Sequence, residues 1–173
     1  MNEITIKGIY RDRLMDCGGR LILDTGWKSN LIVRRCRMLL AGFMKNETAF
    51  GIQSIQFGSG QASWDTVPPP AADPNTTVGL VDAAPFSLPV ASLTLQYLSD
   101  ADAIVVVPTN RIQIVATLGP GQPTPAGSPP FPLREFGLFG KLNGADFMID
   151  YIRHPLIEKD GSTTLERRIR LIF

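Results

Sequence analysis

The chain has 173 residues, is 44% apolar and 19% charged, and carries a formal net charge of +1. That length suits one domain with a sizeable core, the apolar content excludes wholesale disorder, and the balanced charge removes a broad electrostatic case for nucleic acid. No apolar run approaches the ~18–20 residues of a membrane-spanning helix.

Glycine and proline together make about 17% of the chain, against roughly 12% in average usage, which predicts many turns and long loops. The opening Met1-Asn2-Glu3-Ile4 has neither a charged n-region nor an apolar h-region, so no signal peptide is expected. Cys17 and Cys36 are too few for a disulfide scaffold and lack metal-ligand spacing, which suits a reducing cytoplasm.

Ile4-Thr5-Ile6 alternates with period two, and Leu21-Ile22-Leu23 follows a break at Cys17-Gly18-Gly19. We therefore expect a strand-forming arm over residues 1–25 and a single domain over residues 26–173. One helix is predicted at about residues 30–45, capped by Ser29 or Asn30, with Ile32, Cys36, Leu39 and Phe43 as one buried stripe. Cys36 reads as a small core residue.

Beyond the helix the period changes to two. Gly51 to Phe57 is a strand candidate ended by Gly58-Ser59-Gly60, and residues 67–89, with Pro68-Pro69-Pro70, read as an extended surface loop. Leu93, Leu95 and Tyr97 alternate with polar neighbours. Residues 103–107 and 111–116 flank Pro108-Thr109-Asn110 as a hairpin, and a second Pro/Gly loop covers residues 119–132. Strands follow at residues 134–140 and 147–153, with His154-Pro155 as an interruption and Asp160-Gly161 as a turn. In the last strand Leu165, Ile169, Leu171 and Phe173 share one face, and Glu166, Arg168 and Arg170 the other. The expected fold is mainly β: an antiparallel β-sandwich with one packed α-helix and long Pro/Gly-rich loops.

Chemistry is sparse. The one histidine, His154, precedes a proline, and no Gly-x-Ser-x-Gly elbow accompanies it, so it reads as a turn or surface residue. Phe57-Gly58-Ser59-Gly60 leads into Trp64-Asp65 and prolines instead of opening a helix, which makes it a turn and not a phosphate loop. Asp100 and Asp102 lack the distal glutamate and glycine of a calcium loop. No catalytic, cofactor or metal residues are assigned.

Arg34, Arg35 and Arg37 on the helix, and Arg167, Arg168 and Arg170 on the last strand, leave three readings open: solvated faces or ion pairs, an arginine-rich protein interface, or nucleic acid. Trp27 and Trp64 read as core or interface anchors.

The ordered elements Ser29-Asn30-Leu31-Ile32 before the helix, Phe57-Gly58-Ser59-Gly60, Arg134-Glu135-Phe136-Gly137-Leu138-Phe139, Pro155-Leu156-Ile157-Glu158-Lys159 and the alternating end Arg168-Ile169-Arg170-Leu171-Ile172-Phe173 carry a resemblance. Over residues 24–173 the chain resembles small structural proteins of bacteriophage tails and related contractile injection particles. The resemblance implies a non-enzymatic assembly subunit of the tail, baseplate or terminal region. Its partners would be copies of itself in a ring and other particle subunits, with no small-molecule substrate, first in the bacterial cytoplasm and then in the particle. Candidate interface residues are Ile4, Ile6 and Tyr10 in the arm, Arg34 and Arg37 on the helix, Trp64, Pro69 and Pro130 in or beside the loops, and Arg168 and Arg170 on the last strand. The alternative is a glycan- or receptor-binding sandwich in which Trp64 and Tyr97 line a shallow site.

Overall fold

The computed structural model describes residues 5–173. In chain order the first elements are β1 (Lys7–Met15), β2 (Leu21–Asp24), β3 (Lys28–Ser29), β4 (Leu31–Ile32), α1 (Arg34–Met44), β5 (Ala49–Gly58) and β6 (Phe86–Pro89). There follow β7 (Leu93–Leu98), β8 (Ile104–Val105), β9 (Arg111–Leu118), β10 (Phe131–Leu142), β11 (Ala145–Lys159) and β12 (Thr164–Ile172). They form two antiparallel sheets. One has the order β2-β1-β12-β9-β7-β8 with β3 also on β1, and the other has β4-β11-β10-β5-β6. The protein is a β-sandwich with one helix. Among the described residues no helix is long and apolar enough to cross a membrane.

Period-two patterning sets the inward faces. β12 buries Leu165, Arg167, Ile169 and Leu171, and its partner β1 buries Gly8, Tyr10, Asp12 and Leu14. β9 contributes Ile114, Ala116 and Leu118; the second sheet adds Ile55, Phe57, Phe136, Leu138 and Ile152. A smaller cluster of Val33, Phe139, Met148 and Tyr151 packs with Ala72 and Leu80, so the proline-rich segment lies against the protein instead of standing off its surface.

Several expectations change. Residues 5–25 are not set apart as an arm: β1 is hydrogen-bonded to β12 on one side and to β2 and β3 on the other, and its apolar face joins the core. Ile4 lies outside the described residues. The helix begins at Arg34, because residues 28–32 are drawn into short strands on β1 and β11, and Val33 precedes it without a side-chain cap. Its buried positions are Cys36, Leu39 and Gly42. Phe43 is 63% exposed, since Gly42 takes the inward place against Leu142.

The hairpin expected around Pro108 does not form. β8 pairs with β7 across a turn at residues 99–103, and β9 pairs with the other edge of β7. His154-Pro155 does not end its strand either. Between Leu133↔Ile157 and Glu135↔Arg153, β11 carries two residues more than β10, and this bulge accommodates a proline that cannot donate to the ladder.

Candidate functional site

The bulge in β11 aims His154 inward, where it is 3% exposed. Opposite it, Asp12 of β1 and Arg167 of β12 occupy directly paired positions, both fully buried. Arg167 Nε donates to Asp12 Oδ1 at 2.5 Å and Nη2 to Oδ2 at 2.7 Å. Nη2 also lies 3.0 Å from His154 Nε2. The guanidinium sits over the Phe136 ring, 3.8 Å from its centroid, with Phe57 at 5.3 Å. An arginine can only donate, so His154 Nε2 accepts; the Pro155 carbonyl can only accept, so Nδ1 donates to it at 2.8 Å. Both ring nitrogens are therefore engaged, and the imidazole is neutral. Burial, reinforced by the Arg167 charge, pulls its pKa down to about 4. Neither nitrogen is free to take a proton from a nucleophile, so this cluster ties β1, β11 and β12 together and offers no general base.

A second buried group lies in the neighbouring sheet. Glu135 accepts from the backbone N–H groups of Val81 and Asp82 and from the Tyr151 hydroxyl, which fastens residues 81–82 to β10. Burial and the Glu135 contact push the Tyr151 phenol up. Asp150 accepts from Leu138 N–H at 2.9 Å and from Asn30 Nδ2 at 2.6 Å, and burial pushes its carboxyl up to about 7. Asn30, expected to cap the helix, instead bridges β1 and β11. Gly8 makes this possible: any Cβ there would collide with the Asn30 amide.

At one end of the sandwich, between α1 and the first sheet, a cavity of about 310 Å³ is lined by Leu39, Leu40, Leu95, Tyr97, Ile112 and Phe173, with Cys36 at its wall. Burial pushes the Cys36 thiol up to about 11. The lining is mostly hydrocarbon, with the Cys36 thiol, Gln96 and Tyr97 as its polar side chains, so the cavity offers chiefly apolar burial. Among the described residues, no three His, Cys, Asp or Glu side chains gather to hold a metal ion.

The residues singled out for an interface are dispersed. Tyr10 and Trp64 are interior in this chain. Tyr10 packs edge-on to Phe136, and Trp64, 7% exposed, lies beneath the Arg153 guanidinium and against Gly60. A buried Trp64 and the cavity residue Tyr97 form no shared platform for a sugar ring. Ile6 is half-buried against the core, Pro69 is half-buried beside Tyr151 and Arg153, and Pro130 is exposed. Arg168 pairs with Glu166, and Arg170 pairs with Asp102, bonds Gln113 and stacks over Trp27 at 4.2 Å. Arg34 and Arg37 are exposed, and among the described residues their side chains have no ion pair or hydrogen bond.

The pairing of Asp12 with Arg167 escaped sequence reasoning, although a signal exists. Arg167 falls between Leu165 and Ile169 on the apolar register of β12, and Asp12 between Tyr10 and Leu14 on that of β1. The chain matches no family model, no curated protein and no solved structure.

Proposed function

We propose that the chain is a non-enzymatic assembly subunit of a phage-like tail or contractile injection particle, placed in its tail, baseplate or terminal region. The observation that carries the reading is a contrast between interior and surface. The interior titratable groups serve as ties between strands, with His154 held neutral on both nitrogens. The surface instead presents apolar side chains suited to burial by neighbours: Ile104 is 60%, Val106 95%, Val107 61% and Phe43 63% exposed. The resemblance of the ordered short motifs to those of particle subunits supports the same reading. Its partners are then copies of itself and other subunits, met in the bacterial cytoplasm during assembly and retained in the finished particle.

The test is an affinity-tagged full chain expressed in its host, followed by density-gradient sedimentation and electron microscopy. The reading predicts that the tag travels with particles and that deleting the gene leaves them incomplete. Intact particles without the tagged chain, and unaffected by the deletion, contradict it.

A further inference from the structure

Among the described residues, four basic side chains have no ion pair, hydrogen bond or ring contact: Lys7, Lys28, Arg34 and Arg37. Three of them line one groove. It consists of two adjoining cavities, of about 340 and 440 Å³, that share Ile32 and Arg37. Lys7 stands in the first cavity and Arg34 in the second, while Lys28 lines a separate cavity beside His154. Its aliphatic lining is Ile6, Ile9, Ile32, Met38 and Ala41, with polar Thr5, Ser29, Asn30 and Asn75 around it, and among the described residues no aromatic ring lines it, which removes the stacking platform a nucleic acid base would use. Asp73, next to wall residue Pro74, has its carboxylate turned to Asn75 N–H and the Thr76 hydroxyl. The groove therefore fits an aliphatic segment bearing an exposed acid.

The chain carries such a segment at the β8 edge of the first sheet. The turn between β7 and β8 presents Asp100, whose side chain is fully exposed and pairs with Arg111 at a long 3.8 Å, while Asp102 is held at 2.6 Å by Arg111 and 2.8 Å by Arg170. Directly after it come the exposed Ile104, Val106 and Val107. β8 lies four strand positions from β1, about 19 Å at the usual spacing, so the tip and the β1 side of the groove are separate surfaces.

We propose that the groove around Ile32, Arg34 and Arg37 receives the β7–β8 tip of a second copy, joining copies head to tail. Such a contact is heterologous: each copy keeps one free groove and one free tip, and repetition gives a ring or a filament. The inference builds on the assembly reading, and the two fail separately. The reading is judged on particles, the inference on which surfaces join purified chains.

The experiment is light scattering of the full chain across a concentration series, with a groove variant, Arg34→Glu with Arg37→Glu, and an uncharged tip variant, Asp100→Asn with Val106→Ser. The wild type is expected to associate, and each variant alone to associate about tenfold or more weakly. Mixed, the two variants are expected to form a heterodimer that grows no further, because its remaining groove and tip are both disabled. Arg20→Glu, on an exposed residue outside both surfaces, is expected to behave as wild type, and circular dichroism melts confirm that each variant is folded. Should a variant not fold, carbodiimide coupling of wild-type chains mixed with isotope-labelled ones is expected to link Lys7 to Asp100 between copies. A monomeric wild type, variants that assemble like wild type, or no heterodimer on mixing would overturn the proposal. So would a single-stranded oligonucleotide that binds the wild type and is lost from the groove variant while the mass of neither changes.

Discussion

Arg167 and Asp12 face each other across the β1–β12 ladder, joined by two charge-assisted hydrogen bonds, and neither side chain reaches solvent. With His154 on one side of the guanidinium and Phe136 beneath it, the pair is the point where three strands and the facing sheet meet. Removing one member leaves the other charge buried without its counterion. We expect Arg167→Met or Asp12→Leu alone to cost about 3–5 kcal/mol. The double variant should lose clearly less than the sum, because it strands no charge. Urea denaturation of the two single variants and the double one measures this coupling, and additive losses would refute the pairing.

The pH dependence of stability is expected to contain two opposed contributions. An unfolded imidazole takes its proton near 6.5 and His154 only near 4, so its contribution is intact above pH 6.5 and is lost as pH falls toward 4. Asp150 has the opposite sign. Its carboxyl holds a proton up to about 7 when folded and releases it near 3.8 when unfolded, so its contribution is intact below pH 3.8 and is lost as pH rises through 7. Asp150→Asn keeps an acceptor for Leu138 N–H, and its new amide can donate to Asn30 Oδ1, which has no partner. In that variant we expect stability to fall more steeply than in wild type between pH 6.5 and 4, as denaturation at stepped pH would show. Parallel curves would contradict the assignment.

Two glycines in adjacent strands are expected to behave oppositely. A Cβ at Gly140 would come within 2.6 Å of the Gly51 and Phe50 carbonyl oxygens, where β5 bulges past β10, and backbone cannot step aside as a side chain can. Gly140→Ala should cost at least about 1–3 kcal/mol. Gly51→Ala meets nothing within 4 Å and should leave the thermal midpoint almost unchanged. Equal effects in thermal melts would show that the bulge is misplaced.

The two cysteines should label in a fixed order. Cys17 is exposed, whereas Cys36 is buried with its thiol pushed up to about 11. Iodoacetamide at neutral pH should modify Cys17 readily and Cys36 only on unfolding, since the thiolate is the reactive form. Mass spectrometry over a time course reads both, and fast Cys36 labelling in the folded chain would exclude its placement at the cavity wall.

The β-sandwich and its single helix were legible because alternation along β7, β9 and β12 and the helical spacing of Cys36 and Leu39 are local signals. What was not legible depends on partners distant in sequence. A nine-residue strand at Lys7–Met15 is hidden by the alternating charges of Arg11, Asp12 and Arg13, which make sense only once β12 brings Arg167 alongside. Pro155 looks like a strand end until β10 supplies the ladder around the bulge. The candidate surfaces behave likewise. Arg168 and Arg170 read as free cations until Glu166 and Asp102 are seen beside them, and of these four Arg34 and Arg37 alone have no partner among the described residues.

The most direct test of the account is the solution mass of the purified full chain, followed by light scattering as concentration rises at low and then at high salt. A subunit that joins its neighbours through an aliphatic and charged contact should exceed the 18.9 kDa of one chain at low salt and return toward it as salt is added. A mass of one chain at every concentration and salt, from a folded and soluble sample, would contradict the claim that this surface is built to meet copies of itself.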